Sequence, residues 1–275
     1  MNQTNTPQMV DVQQVVPESR QLSLQLMLDL LLAAPAARPF ASERIAFVAD
    51  LSRALARRGR GLPETQALAF WMRRAELSRL ADDVAAPTGP TGVLLMPRGT
   101  VFHVPPANAD TLFVYSLVLS LLAGNRNIVR LSSRATAQSH LILETLADVL
   151  ADYPQVAAAT VMLNYGHDDA VTAAISARCD TRVIWGGDGA VEAIRRVPLP
   201  VHATELTFPD RFSLAAIGTR AYSGLNPSGR DDLAERFFND AYWFDQLGCS
   251  SPRLLAWVGE GADEELTSDF HARVR

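Results

Sequence analysis

The sequence predicts an α/β protein in which an N-terminal helical layer precedes a doubly wound parallel sheet and the start of a second α/β domain. Residues 21–86 carry apolar side chains at helical spacing. Residues 87–220 alternate short strand-like runs with helical ones, a pattern that builds a parallel sheet with helices on both faces. A loop of Gly, Ser, Asn and Pro residues at 221–229 marks a domain boundary, and residues 230–275 then supply one more helix and strand. With 275 residues, 48% of them hydrophobic, the chain has material for one large core or two smaller ones.

In chain order, residues 1–20 are polar, rich in Gln, Asn and Thr without a sustained period, and read as a loose arm. The run 22–34 is an apolar helix, broken by Pro35 and Pro39. Ser42 is placed to cap a helix over 43–58, whose arginines at the C-terminal end suit the helix dipole. Pro63 begins a third helix running to Ala85. Strands are expected at 92–96 and 101–104. A helix then runs from Asp110 or Thr111 to Ala123, ended by Gly124 and Asn125 in the left-handed conformation. Strands at 127–131, 158–163, 181–185 and 213–217 alternate with helices at 136–151, 168–177 and up to Arg196. Asp231 opens an apolar-striped helix that leads to a cysteine turn, followed by a strand at 254–258 and an acidic tail.

A net charge of −5 with no basic stripe argues against a nucleic-acid partner. No secretory signal opens the chain, and the apolar run 112–123 is too short for a transmembrane segment. Cys179 and Cys249 offer no disulfide framework and no metal-ligand spacing, so the reading is a reduced, cytoplasmic protein without a metal.

Four stretches have the composition of a site. DQLGCSSPR sets Cys249 among small and turn-forming residues, where a thiol is either a nucleophile at a pocket mouth or simply packed. PRGTVFHVPPANADT holds Asn108 in a loop stiffened by Pro105 and Pro106; its amide either serves an oxyanion or merely fits a turn. RLSSR follows a strand, and Arg130, Ser132, Ser133 and Arg134 suit a phosphate or ribose, or form a solvated strand end. WGGDGAVEAIR puts Gly186, Gly187 and Gly189 between a strand and a helix N-terminus, a setting that favours phosphate without matching the GxGxxG dinucleotide fingerprint. Cys179, His103 and His202 read as structural.

Several of these segments together resemble one family. GTVFHVPPANADTLFVYSLVLSLLAGNRNIVRLSSR is similar to the most recognisable block of the long-chain acyl-CoA reductases, the LuxC-type fatty acid reductases. DTRVIWGGDGAVEAIRR resembles that family's second glycine block, FPDRFSLAAI its next strand, and DQLGCSSPR the segment around its reactive cysteine. The resemblance runs in order from about Gly92 to Val258. It implies the aldehyde dehydrogenase superfamily, with a Rossmann-like cofactor sheet and a second domain carrying the nucleophile.

The resemblance further implies reduction of an acyl-CoA or acyl-carrier thioester to an aldehyde through an acyl-enzyme on Cys249, with Asn108 in the oxyanion hole. The glycine turn supports a nicotinamide cofactor. NAD-preferring relatives place a carboxylate soon after the basic strand end; here Ser132, Ser133 and Arg134 stand there, so NADPH is expected. The general-base Glu of aldehyde-oxidising relatives is not matched, because Glu205 in TELTFPDRFS falls too early, and this favours reduction over oxidation. Family members are longer, so most of the catalytic domain and the acyl pocket are expected to lie outside this chain. The corresponding alternative is a non-catalytic or split-enzyme subunit, with a homo-oligomer or partner subunit completing the catalytic domain.

Overall fold

The computed structural model describes residues 10–85, 95–106, 110–134, 136–242, 246, 248–261 and 263–274. The chain divides into two compact units, Met1–Pro209 and Asp210–Arg275.

The first unit is built on a seven-stranded sheet. Its strands are β1 (Asp11–Val16), β2 (Arg20–Ser23), β3 (Thr100–Val104), β4 (Arg126–Arg130), β5 (Thr160–Asn164), β6 (Thr181–Trp185) and β7 (Thr204–Phe208). They lie in the order β2-β1-β5-β4-β3-β6-β7, and every neighbouring pair from β5 to β7 is parallel. The parallel part starts at β3, steps outward to β4 and β5, and resumes on the other side of β3. That reversal leaves a crevice at the carboxyl ends of the strands beside β3, where doubly wound sheets take ligands.

The two-residue period of a strand sends alternate side chains into two cores. Val129 and Met162 pack with α2 (Ser42–Arg58), α3 (Pro63–Trp71), α4 (Arg74–Ala85), α5 (Leu112–Leu122), α6 (Ala137–Leu150) and the short α7 (Pro154–Ala158). Ile128 and Leu163 pack on the opposite face with α1 (Leu24–Ala33), α8 (Asp169–Ser176) and α9 (Asp188–Arg195). The helix ends explain much of the local order. Thr136 and Ser139 form a capping box at the start of α6, and the Asp168 carboxylate accepts from the amides of Ala170 and Val171 at the start of α8. After α5, Gly124 has φ +95°, and a Cβ there would meet the Ala37 carbonyl oxygen at 2.5 Å. The buried Arg44 of α2 donates to the carbonyls of Leu121 and Asn125 at 2.6 and 2.8 Å, fastening the helical layer to the end of α5.

Several expectations are corrected. The arm expected at 1–20 contains β1 and the start of β2, an antiparallel hairpin paired to β5. A register shift between Gln14 and Val16 turns Val12 into one core and Val16 into the other, so the two glutamines hide a real strand pattern. The helix expected from Pro63 to Ala85 is two helices, divided where Arg73 donates to the Phe70 carbonyl at 2.9 Å and lies over the Phe70 ring. Ser42 is the first helical residue rather than the cap, which is Ala41 without a side-chain bond. Strand β7 adds an element that the sequence pattern does not predict. Of the strand expected at 92–96, only Leu95 and Met96 are described, in irregular chain.

The second unit holds β8 (Ser213–Gly218), α10 (Thr219–Ser223), α11 (Pro227–Tyr242), β9 (Pro252–Val258) and α12 (Glu264–Val274). Strand β8 does not extend the first sheet as expected; it pairs in parallel with β9 in a sheet of its own. The boundary therefore falls before Asp210 rather than at 221–229, because β8 needs a partner from beyond the helices. The expected loop is largely helical: α10 ends in it, and Asn226 accepts from the Gly229 amide at 2.8 Å as α11 begins. The acidic tail is also a helix, with Asp263 accepting from Leu266 N at 2.9 Å. Phe270 of α12 packs edge-on against Tyr222, Phe237 and Trp257. Beside it Asp269 accepts from Tyr222, Arg230 and Arg273, and its carboxyl is held below the usual carboxylate range, chiefly by the hydrogen bond from Arg273.

Candidate active site

Arg130 is the last residue of β4, two positions beyond Ile128 and on the same face, toward α8 and α9. Its guanidinium donates to the Gly166 carbonyl, stands 3.0 Å from His167 Nδ1, and lies over the Tyr165 ring at 5.2 Å. The turn between β5 and α8 thus holds Arg130 at the crest of the sheet.

On the same face, β6 runs through Gly186 and Gly187 into α9. Gly186 has φ +156°, and a Cβ there would meet Ala190 Cβ at 3.3 Å. Gly187 is the N-cap and brings no side chain, so no side chain occupies the first-turn amides of α9. Gly189 has open space where a Cβ would be. The neighbouring helix differs: Asp168 already fills the N-terminus of α8 with a carboxylate. Between these two helix starts, only α9 offers free amides and the positive end of a dipole to an anion.

Ser132 and Arg134 go elsewhere. The chain leaves the strand after Arg130, and both residues line a cavity on the α5 and α6 face. Ser132 Oγ accepts from the Arg134 amide at 3.1 Å, and Ser133 is exposed. Of the residues read as one cofactor cluster, Arg130 and the glycine turn share a face and an end of the sheet, while Ser132 and Arg134 border the other face. Asn108 lies outside the described residues; Pro105, Pro106 and Asp110 around it line the same cavity as Ser132 and Arg134.

In the second unit, Cys249 is exposed on the turn that enters β9. Its carbonyl accepts from Ser213 Oγ at 2.7 Å, and the Ser251 amide closes the turn on the Gly248 carbonyl at 3.0 Å. Cys179 is the contrasting thiol: it is buried, donates to the Ser176 carbonyl at 3.3 Å, and burial pushes it up to about 11.

Three features were read incompletely from sequence. His103 is wholly buried, with Nδ1 2.7 Å from Ser116 Oγ and Nε2 3.0 Å from Asn127 Oδ1. The set resembles a Ser–His–Asn triad but is sealed between β3, β4 and α5, and burial lowers the imidazole to about 4. Glu205, the second residue of β7, is gripped by Arg182 at 2.8 Å and by Arg195 at 2.9 Å, near the amino ends of the strands. A carboxylate so paired is no free base for chemistry at the carboxyl ends. Trp185, at the end of β6, stacks on Phe208 at 3.8 Å, and its buried Nε1 has no partner among the described residues.

The strand order and the glycine turn into α9 define a Rossmann-like, doubly wound sheet. Solved structures show the same fold. Aldehyde dehydrogenase 21 from Physcomitrella patens, in complex with succinate, superposes with TM-score 0.67 at 15% identity, covering 99% of this chain and 61% of that one. The NADP-dependent glyceraldehyde-3-phosphate dehydrogenase from Bacillus halodurans C-125, complexed with NADP, gives TM-score 0.60 at 14% identity, covering 98% and 61%. Residues 83–274 match the acyl-CoA reductase (LuxC) family, and the chain belongs to that family. It is 26% identical over 187 residues to long-chain acyl-protein thioester reductase 2 of Photobacterium leiognathi, covering 68% of this chain and 37% of that protein. Against the long-chain acyl-protein thioester reductase of Aliivibrio fischeri it is 26% identical over 176 residues, covering 63% and 35%. The chain therefore spans little more than a third of the length of these relatives.

Proposed function

We propose that this chain supplies the cofactor sheet and the reactive thiol of an NADPH-dependent acyl-thioester reductase that yields a fatty aldehyde. The observation that carries this reading is the family match over residues 83–274, which spans both the glycine turn and Cys249. The exposed thiol of Cys249 supports it, as do the open amides at the start of α9. The named relatives act on long-chain acyl-protein thioesters, so an acyl thioester is the substrate we assign.

In this reading the Cys249 thiolate attacks the thioester carbonyl carbon, the donor thiolate leaves, and an acyl-enzyme thioester remains on Sγ. The Asn108 amide and the Cys249 backbone N–H donate to the oxyanion of the tetrahedral intermediate. Hydride for reducing the acyl-enzyme carbonyl would come from a bound nicotinamide, and departure of the aldehyde would leave Cys249 as thiolate. The open amides at the start of α9, with no side chain on Gly186, Gly187 or Gly189 to block them, would receive the pyrophosphate. Arg130 and Ser133 would hold the adenosine 2′-phosphate, whereas Ser132 and Arg134, expected there from the sequence, border the opposite face. The reading includes a reducing, cytoplasmic setting and association with a second copy or a partner subunit. Among the described residues no helix is long and apolar enough to cross a membrane.

Alkylation by iodoacetamide tests the nucleophile. Cys249 is expected to react at least about tenfold faster than Cys179, whose thiol is buried, and dodecanoyl-CoA is expected to slow it. Equal rates at the two thiols with no protection would remove Cys249 from the mechanism. Ser133→Glu tests the cofactor: a carboxylate beside the 2′-phosphate should weaken NADPH by about tenfold and leave NADH unchanged or tighter. Equal NADPH affinity in the variant and the parent would sink the assignment.

A further inference from the structure

A cavity of about 360 Å³ lies at the carboxyl ends of β3, β4 and β5, on the face opposite α8 and α9. Its walls come from Phe113 of α5, Leu131 after β4, Leu143 and Ala147 of α6, and Val15 and Pro17 of the β1–β2 hairpin. Ser139, Leu143 and Ala147 are successive turns of one helix face, so the cavity follows α6 for about 12 Å at 1.5 Å per residue. Its volume holds roughly a dozen groups of water size at ~30 Å³ each. One end is polar: Ser132, Ser139, His140 and Asp110 gather at the start of α6, where Asp110 accepts from Thr136 Oγ1 at 2.6 Å. Pro106 and Asp110, which bracket the segment carrying Asn108, both line the cavity. Apolar surface predominates along the walls, interrupted by Glu144 of α6, Ser19 of the hairpin and Asn164 of β5.

We infer that this cavity holds the hydrocarbon tail of a straight-chain acyl group of about a dozen carbons, its carbonyl end toward Asp110 and Ser132. The argument is one of shape and chemistry. An elongated slot whose exposed lining is mainly apolar fits a flexible alkyl chain, and the polar groups at the start of α6 can meet its head. The inference rests on the acyl-reductase reading for the identity of the ligand. It differs from the expectation that the acyl pocket lies outside this chain.

The test is binding of saturated fatty acids from octanoate to hexadecanoate to the full chain, measured by displacement of a fluorescent fatty acid. Affinity is expected to rise by about fourfold per methylene and to level off near a dozen carbons, as the cavity fills. Leu143→Arg puts a charge in the slot and should weaken dodecanoate by about tenfold or more. Ala147→Phe should move the plateau to shorter chains. Leu119→Arg, on an exposed apolar position of α5 that does not line the cavity, should change nothing. Far-ultraviolet dichroism establishes that each variant is folded. Dodecanoate affinity and plateau unchanged in Leu143→Arg and Ala147→Phe, or lost equally in Leu119→Arg, would overturn the assignment. NADPH titration and Cys249 alkylation are read on the same variants. If both behave as proposed while chain binding ignores the cavity, only this inference falls. If Cys249 is inert while the chain-length dependence holds, the thiol mechanism falls and the cavity stands.

Discussion

His103 sits between Ser116 and Asn127 without access to water, and burial lowers its imidazole to about 4. The native state refuses a proton that the unfolded chain accepts from about pH 6.5 downward. The stability contribution is therefore complete above pH 6.5 and is lost as pH falls toward 4, roughly 3 kcal/mol in all. Urea unfolding at pH 7 and pH 4.5 should show this drop, and His103→Gln should flatten it; an equally steep decline in the variant would mean that other groups carry it. At this scale the sequence was uneven. The small neighbours of Cys249 and the larger surroundings of Cys179 separated an exposed thiol from a buried one. The RLSSR segment misled, because residues four apart seem neighbours until the strand ends at Arg130 and the chain crosses to the other face. No local signal links His103 to Ser116, since that bond joins a strand to a helix 13 residues on.

The helices and strands of the central sheet were legible because each carries its own boundary chemistry. Thr136 before α6, Asp168 before α8 and Gly124 after α5 are local signals, and the structure uses all three. Thr136→Ala should cost about 1 kcal/mol through loss of the cap, while Thr136→Ser should restore most of it, both read as shifts in melting temperature. A Thr136→Ala protein as stable as the parent would show that the capping box contributes nothing. Elements without such signals are not legible in the sequence. Strand β7 alternates exposed and half-buried residues with Glu205 among them, and that carboxylate is tolerated only because Arg182 and Arg195 neutralise it from elsewhere in the fold. The break between α3 and α4 depends on Arg73 turning back onto Phe70, which no spacing rule foretells.

For the whole molecule, the parallel α/β class followed from alternation alone, but the partition into units did not. Strand β8 reads like one more strand of the first sheet, and its actual partner, β9, lies beyond two helices. The hairpin of β1 and β2 carries the largest consequence for the assembled protein. A parallel sheet that ended at β5 would present a row of unpaired amides and carbonyls to any passing strand. The first described residues of the chain close that border with antiparallel strands. A protein lacking residues 1–23 is expected to elute as higher-order species in size-exclusion chromatography with light scattering, even where its dichroism stays α/β; a monodisperse product would show the border to be harmless. What reads in the sequence as a polar tail thus serves the fold as a selvedge, keeping the sheet from joining itself to its neighbours.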